Sequence, residues 1–115
     1  MAIQQWSENI KVVELTEDPQ FTDEMAALMD GLSGQPCDVV LNLAAVGFLN
    51  SSNVSRLLRL RKQMITTGRR LVLCGVTQSV WGVFVVTGLD KIFQFTKDVA
   101  TALAGIQLSK PSAKE

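Results

Sequence analysis

Residues 37–58 read CDVVLNLAAVGFLNSSNVSRLL, and the order of side-chain types along them decides the fold class. Cys37 to Leu43 is a run of β-branched and aliphatic residues broken only by Asp38 and Asn42. That is the pattern of a strand covered on both faces, so it predicts a central strand. Ala44 to Leu49 forms a short loop, and Asn50, Ser51, Ser52 and Asn53 follow, each able to cap a helix. They stand directly before the periodic apolar set Val54, Leu57, Leu58, Met64 and Ile65, which predicts a helix starting here with these residues inward. Gly68 supplies its stop.

Working outward, the same alternation repeats. On the far side, Leu71 to Cys74 is a second buried strand and Thr77 caps a third helix carrying Val80, Trp81, Phe84 and Val85. That helix ends at Thr87 and Gly88, a short strand follows at Ile92 to Phe95, and a last helix runs from about Lys97 to Gln107, with Val99, Leu103 and Ile106 inward. On the near side, Pro36 forces extension, and Phe21, Met25, Leu28 and Met29 mark an earlier helix closed by Gly31 and Gly34. Before it, Lys11 to Leu15 reads as a strand that ends at the turn Thr16-Glu17-Asp18-Pro19. Strand and helix alternating with short connections implies right-handed βαβ units on a parallel sheet, hence an α/β fold. With those strands parallel, Cys37 and Cys74 sit at opposite ends of the sheet, too far apart for a disulfide, and read as buried packing thiols.

The chain has 115 residues, 47% of them apolar, which suits one domain over 1–115 with a core from about 10 to 107 and a polar tail at 109–115. Met1 to Ile10 shows no secretory signal, and the longest apolar run, Val80 to Val86, is far too short to span a bilayer, so a cytoplasmic location without membrane insertion is expected. Basic and acidic residues number 11 each, and the zero net charge gives no bulk attraction to nucleic acid. The zero hides a separation: residues 1–50 carry eight acids against Lys11 alone, whereas 51–70 carry Arg56, Arg59, Arg61, Lys62, Arg69 and Arg70 with no acid.

With no histidine and no tyrosine, the chain lacks Ser-His-Asp triads, His-based zinc sites and tyrosine acid catalysis. It also has no GxGxxG, GxxxxGK[ST] or GxSxG motif. Glu17, Asp18, Asp23 and Glu24 straddle a helix start, where acids favour the helix dipole, so no metal site is assigned. Much enzyme chemistry is thereby excluded, and no cofactor is assigned. The constellation that stands out is Asn50 to Asn53. Beyond capping, its place at a helix N-terminus after a buried strand lets a phosphorylated serine be accommodated by unpaired N–H groups, while about two added charges transform the surface. Arg56, Arg59 and Lys62 recur at three-residue spacing, either as a solvated helix face or as a docking surface for an acidic partner.

The ordered set DVVLNLAAVGFLNSSN, VSRLLRLRKQMITTGRRLVLCGV and VTGLDKIFQF, within Cys37 to Ile106, resembles the STAS domain of bacterial anti-sigma-factor antagonists. The resemblance implies a four- or five-stranded mixed sheet with helices mainly on one side, and a partner-switching regulator without catalytic activity. In such systems the antagonist binds a serine-kinase anti-sigma factor, the kinase phosphorylates a serine at the helix start and breaks the complex, and a phosphatase resets it. The matching serine is Ser51, with Ser52 as its neighbour. Gly47, Phe48, Leu49, Asn50, Ser51, Ser52, Asn53, Arg56 and Arg59 would form the contact surface. Asn50 stands where the family usually has Asp, and Asn53 where it usually has Gly; Thr16 to Pro19 replaces the family's Gly-acid-Leu turn. Those departures leave open a phosphorylation-independent STAS module, such as a regulatory subunit of a phospholipid-trafficking ABC transporter or a stressosome-like scaffold. Trp81, Phe84, Phe93 and Phe95, in the most apolar region, are candidates for a homodimer contact if exposed.

Overall fold

The structure, a computed structural model, describes residues 3–108. The order is β1 (Ile3–Ser7), β2 (Ile10–Glu14), α1 (Gln20–Gly34), β3 (Asp38–Asn42), α2 (Ser51–Thr67), β4 (Leu71–Cys74), α3 (Gln78–Thr87), a 3-10 turn (Leu89–Lys91), β5 (Gln94–Thr96) and α4 (Val99–Leu108). The five strands lie in sequence order across one sheet. β1 is antiparallel to β2, and every other neighbouring pair is parallel, so the sheet is mixed with β3 at its centre.

Residues alternating along the strands divide the core in two. Val13, Val39, Leu41 and Leu73 face α1, α2 and α3, meeting Phe21, Met25, Leu28, Leu57, Leu60, Val80 and Phe84. Ile10, Val12, Val40 and Val72 face the other way, where α4 supplies Ala102 and Ile106. Three helices on one face and one on the other is the layering that the family resemblance implies. Cys37 lies in the first layer and Cys74 in the second, both free, so the two thiols are separated by the sheet as well as along it.

Four local expectations need correction. The inward stripe of α2 is Asn53, Leu57, Leu60 and Met64, while Leu58 and Ile65 point outward. Leu58 follows Leu57 by about 100° of helix rotation, which swings it off the stripe that Leu60 and Met64 continue. In α4, Ala102 and Ile106 are the buried residues, with Val99 and Leu103 packed at the margin. β5 begins at Gln94, because the Ile92 and Phe93 N–H groups both donate to the Leu89 carbonyl and close the 3-10 turn first. Finally, a strand that the sequence does not announce, β1, precedes residue 10, since IQQWS is a mostly exposed edge strand without hydrophobic alternation; the buried core itself begins at Ile10, and only Ile3 of β1 packs against it. The expected polar tail, 109–115, lies outside the described residues.

Gly68, Gly75 and Gly88 sit at positive φ. Gly68 caps α2 in the left-handed region at φ 71°, its N–H donating to the Ile65 carbonyl. Gly75, at φ +68°, turns the chain from β4 toward α3 so close to Asn42 that a Cβ would lie 2.7 Å from the Asn42 Oδ1.

Candidate functional site

Parallel strands direct their carboxyl ends, and the N-termini of α1, α2 and α3, to one end of the molecule, where a ligand or modification is expected in an open α/β sheet. β3 leaves the sheet there. The Asn42 Oδ1 accepts from the Ala44 N–H at 3.0 Å, and the Leu43 N–H donates to the Cys74 carbonyl at 2.9 Å. The Thr77 hydroxyl, which also caps α3, donates to the Val46 carbonyl at 3.2 Å. Val46 and Leu49 are buried and anchor the loop, while Gly47 and Phe48 are lifted outward; Phe48 is 66% exposed.

The start of α2 is a reciprocal capping box. The Asn50 Oδ1 accepts from the Asn53 N–H at 2.8 Å, and the Asn53 Oδ1 accepts from the Asn50 N–H at 3.1 Å. Both side-chain amides then donate to one oxygen, the Asp18 Oδ2, at 3.2 Å from Asn50 and 3.0 Å from Asn53. The other Asp18 oxygen accepts from the Thr22 N–H at 3.1 Å and the Thr22 hydroxyl at 2.7 Å, at the start of α1. Beside it the Glu17 Oε2 accepts from the Gly47 N–H at 2.8 Å. The loop after β2 thus clasps the loop after β3, holding the first turn of α2 in place. The hydrogen bonds from Thr22, with those from Asn53 and Asn50, pull the Asp18 carboxyl down to about 2.

Ser51 and Ser52 occupy the first two positions of α2, both exposed. Asn53 does not join them at the surface: it is 3% exposed and its side chain is spent on the capping box and Asp18. Leu49, at 4% exposure, is likewise a core residue. The surface that the structure brings together is therefore Gly47, Phe48, Ser51 and Ser52, with Asn50 half-buried behind them. Arg56 is half-buried, and its Nε is enclosed without a hydrogen-bond partner among the described residues. Arg59, one turn further, is exposed.

Asp18 is the residue that sequence reasoning missed. In the sequence it reads as one of several acids that favour a helix dipole, a local role, and its link to Asn50 and Asn53 crosses 32 and 35 residues without a local signature. Its effect is to place a carboxylate on the amide of Asn50, the position where the resembled family usually has Asp.

No group of three His, Cys, Asp or Glu among the described residues is arranged to hold a metal ion. Burial, with Asp98 nearby, pushes the Cys74 thiol up to about 11, which keeps it protonated near neutrality and unsuited to nucleophilic work. Among the described residues no helix is long and apolar enough to cross a membrane.

A family model described as the STAS domain matches residues 2–102. A Thermotoga maritima protein classed as an anti-sigma factor antagonist superposes with a TM-score of 0.81 at 15% identity, covering 91% of this chain and 92% of that one. The anti-sigma factor antagonist SpoIIAA in its unphosphorylated form gives 0.78 at 16% identity, with 91% and 94% covered. The phosphorylated form of SpoIIAA from Bacillus gives 0.70 at 17%, with 90% and 96% covered. A component of the stressosome, a signal integration and transduction hub, gives 0.76 at 18%, with 94% and 98% covered. At these identities the structural likeness speaks to the fold.

Proposed function

Because the chain belongs to the STAS-domain family, one of regulatory binding proteins and not of enzymes, we propose that it is a partner-switching regulator of the anti-sigma-factor-antagonist type, controlled by phosphorylation of Ser51. The observation that carries this reading is the exposed Ser51 at the first position of a rigidly clasped helix, beside the protruding ring of Phe48. An exposed aromatic on a fixed loop is a suitable anchor for a protein partner. A phosphoryl group on Ser51 finds free N–H groups in the first turn of α2, so it is tolerated by the fold. The same group brings about two negative charges to the contact surface, where it desolvates poorly and repels an acidic or apolar partner. The partner would be a serine-kinase anti-sigma factor, meeting Gly47, Phe48, Asn50, Ser51 and Ser52, with Arg56 and Arg59 along the helix. Leu49 and Asn53 support that surface from beneath. A phosphatase would reset the switch, and the setting would be transcription control in the cytoplasm.

Phosphopeptide mapping across Ser51 to Arg56, on protein isolated from its own cells in growth and under stress, tests this. Phosphate on Ser51 that changes with condition is the expected result. A peptide unmodified in every condition would overturn the phosphorylation switch.

A second reading has its own support. Asn50 and Asn53, standing where the family usually has Asp and Gly, have their side chains spent on the capping box and on Asp18, which suits a STAS module that binds without being phosphorylated. A stressosome-like scaffold or a regulatory subunit of a phospholipid-trafficking ABC transporter is of that kind. Co-purification with a partner that ignores Ser51→Asp would favour it. In either case Trp81, 40% exposed over Phe95 with a ring separation of 5.1 Å, is the aromatic available for a homodimer contact; Phe84 and Phe93 are buried and Phe95 is half-buried.

A further inference from the structure

Helix α2 carries two apolar stripes, and only one of them is used by the fold. Leu57, Leu60 and Met64 are buried, while Leu58 and Ile65, seven residues apart, are 37% and 60% exposed. Two helical turns bring residues seven apart back to nearly the same side, about 10 Å apart along the axis. Arg59 and Lys62 are exposed between them. Two depressions flank this outer face. One of about 400 Å³ lies against α1, where Leu32 and Pro36 meet Arg59 and Lys62; the other, of about 250 Å³, lies against β5, where Ile65 and Ile92 meet Arg61, Arg69 and Arg70. Among the described residues no acid lines either one.

From this arrangement we propose that the outer face of the C-terminal half of α2 docks an acidic amphipathic helix of a partner protein. Charge complementarity selects the occupant. From Ser51 to Arg70 all six charged residues are basic. Arg69 is paired with Asp38 at 3.2 Å, but Arg61 donates its Nε to the neutral Ile92 carbonyl at 3.2 Å, and no carboxylate among the described residues pairs with it. Apolar anchors at seven-residue spacing, bordered by cations on both sides, fit a helix with aliphatic residues on one stripe and carboxylates beside them. A phosphate backbone offers the charge without the aliphatic stripe. Ile65 stands fourteen residues after Ser51, about 21 Å along the helix, so this surface is centred away from the proposed switch and shares only Arg59 with it; Lys62, Ile65 and the depression against β5 remain open when the switch end is engaged. The protein would then join two partners, one at each end of α2.

The test uses the full ¹⁵N-labelled chain and a synthetic peptide of about 14 residues, roughly four helical turns, built of Glu with Leu at the i, i+3, i+4 and i+7 positions. Amide shifts are expected to cluster at Leu58, Lys62, Ile65 and Arg69. Replacing the peptide's leucines by Gln, or the protein's Ile65 by Glu, is expected to weaken binding by at least about tenfold. Ile65 is exposed enough for Ile65→Glu to fold, and Lys62→Glu serves as a second variant read the same way. Ser51→Asp is expected to leave the affinity within about twofold, whatever the fate of the phosphorylation reading. Equal binding of the leucine-free peptide, shifts centred on Gly47 to Ser52, loss of binding in Ser51→Asp, or no binding of the leucine peptide would each overturn the proposal.

Discussion

Replacing Asn53 by Ala tests whether the clasp is what fixes the start of α2. The Asn53 side chain is 3% exposed and makes two hydrogen bonds, accepting from the Asn50 N–H at 3.1 Å and donating to Asp18 at 3.0 Å. Each is worth about 1 kcal/mol net, with the Asp18 bond taken at the neutral value because its acceptor is open to solvent, so Asn53→Ala should cost about 2 kcal/mol. At about 2.1 cal/mol/K of unfolding entropy per residue, a chain of this length should lose about 8 °C in Tm. Circular dichroism melts of the purified variant, with a urea titration to check that the m-value is unchanged, give both quantities. Asp18→Ala should then cost less in the Asn53→Ala background than in the wild type, because the two residues share one interaction. A Tm within about 2 °C of the wild type, or strictly additive losses, would refute the clasp as a structural element.

Acid should act on the same contact. Asp18 has its folded pKa lowered from 3.8 to about 2, so its contribution is complete above about pH 4 and is lost as pH falls through the folded value toward 2. Asp18→Asn should therefore lose less stability than the wild type over that window in pH-dependent urea melts. Gly75→Ala, forced to φ +68° with its Cβ 2.7 Å from the Asn42 Oδ1, should cost at least about 1–2 kcal/mol, and a denaturant midpoint equal to wild type would contradict the turn geometry. Leu60→Ala should cost about 2–5 kcal/mol, whereas Leu58→Ala should change the same urea midpoint by much less. Cys74 should stay unreactive to iodoacetamide near neutral pH in the native protein and react once urea unfolds it, since burial keeps its thiol protonated and covered.

Features encoded by a few adjacent residues are legible in the sequence. The β3 run, a cap within Asn50 to Asn53, the cap at Thr77 and the stops at Gly68 and Gly88 each depend on a few adjacent residues, and all appear in the structure. Errors arose where a residue's place depends on its neighbours in space. Leu58 is as apolar as Leu57, and only the packing of α2 on the sheet decides which of them is buried. β1 has no hydrophobic pattern because an edge strand is held by its backbone pairing to β2, which side-chain periodicity does not record.

The candidate site divides the same way. The sequence alone determined that a helix begins within Asn50 to Asn53 after a central strand, because capping and periodicity are encoded within one turn of chain; that Asn50 is the cap and Ser51 the first, exposed position came from the structure. Only the tertiary structure decided that Asn53 turns inward, that Asp18 and Glu17 reach across more than 25 residues to hold the loop, and that Phe48 stands out while Leu49 is buried. The physical reason is that a hydrogen bond between distant segments has no sequence period. It exists because the parallel sheet delivers the ends of β2 and β3 side by side, Glu14 opposite Asn42, and so brings their following loops within reach of each other.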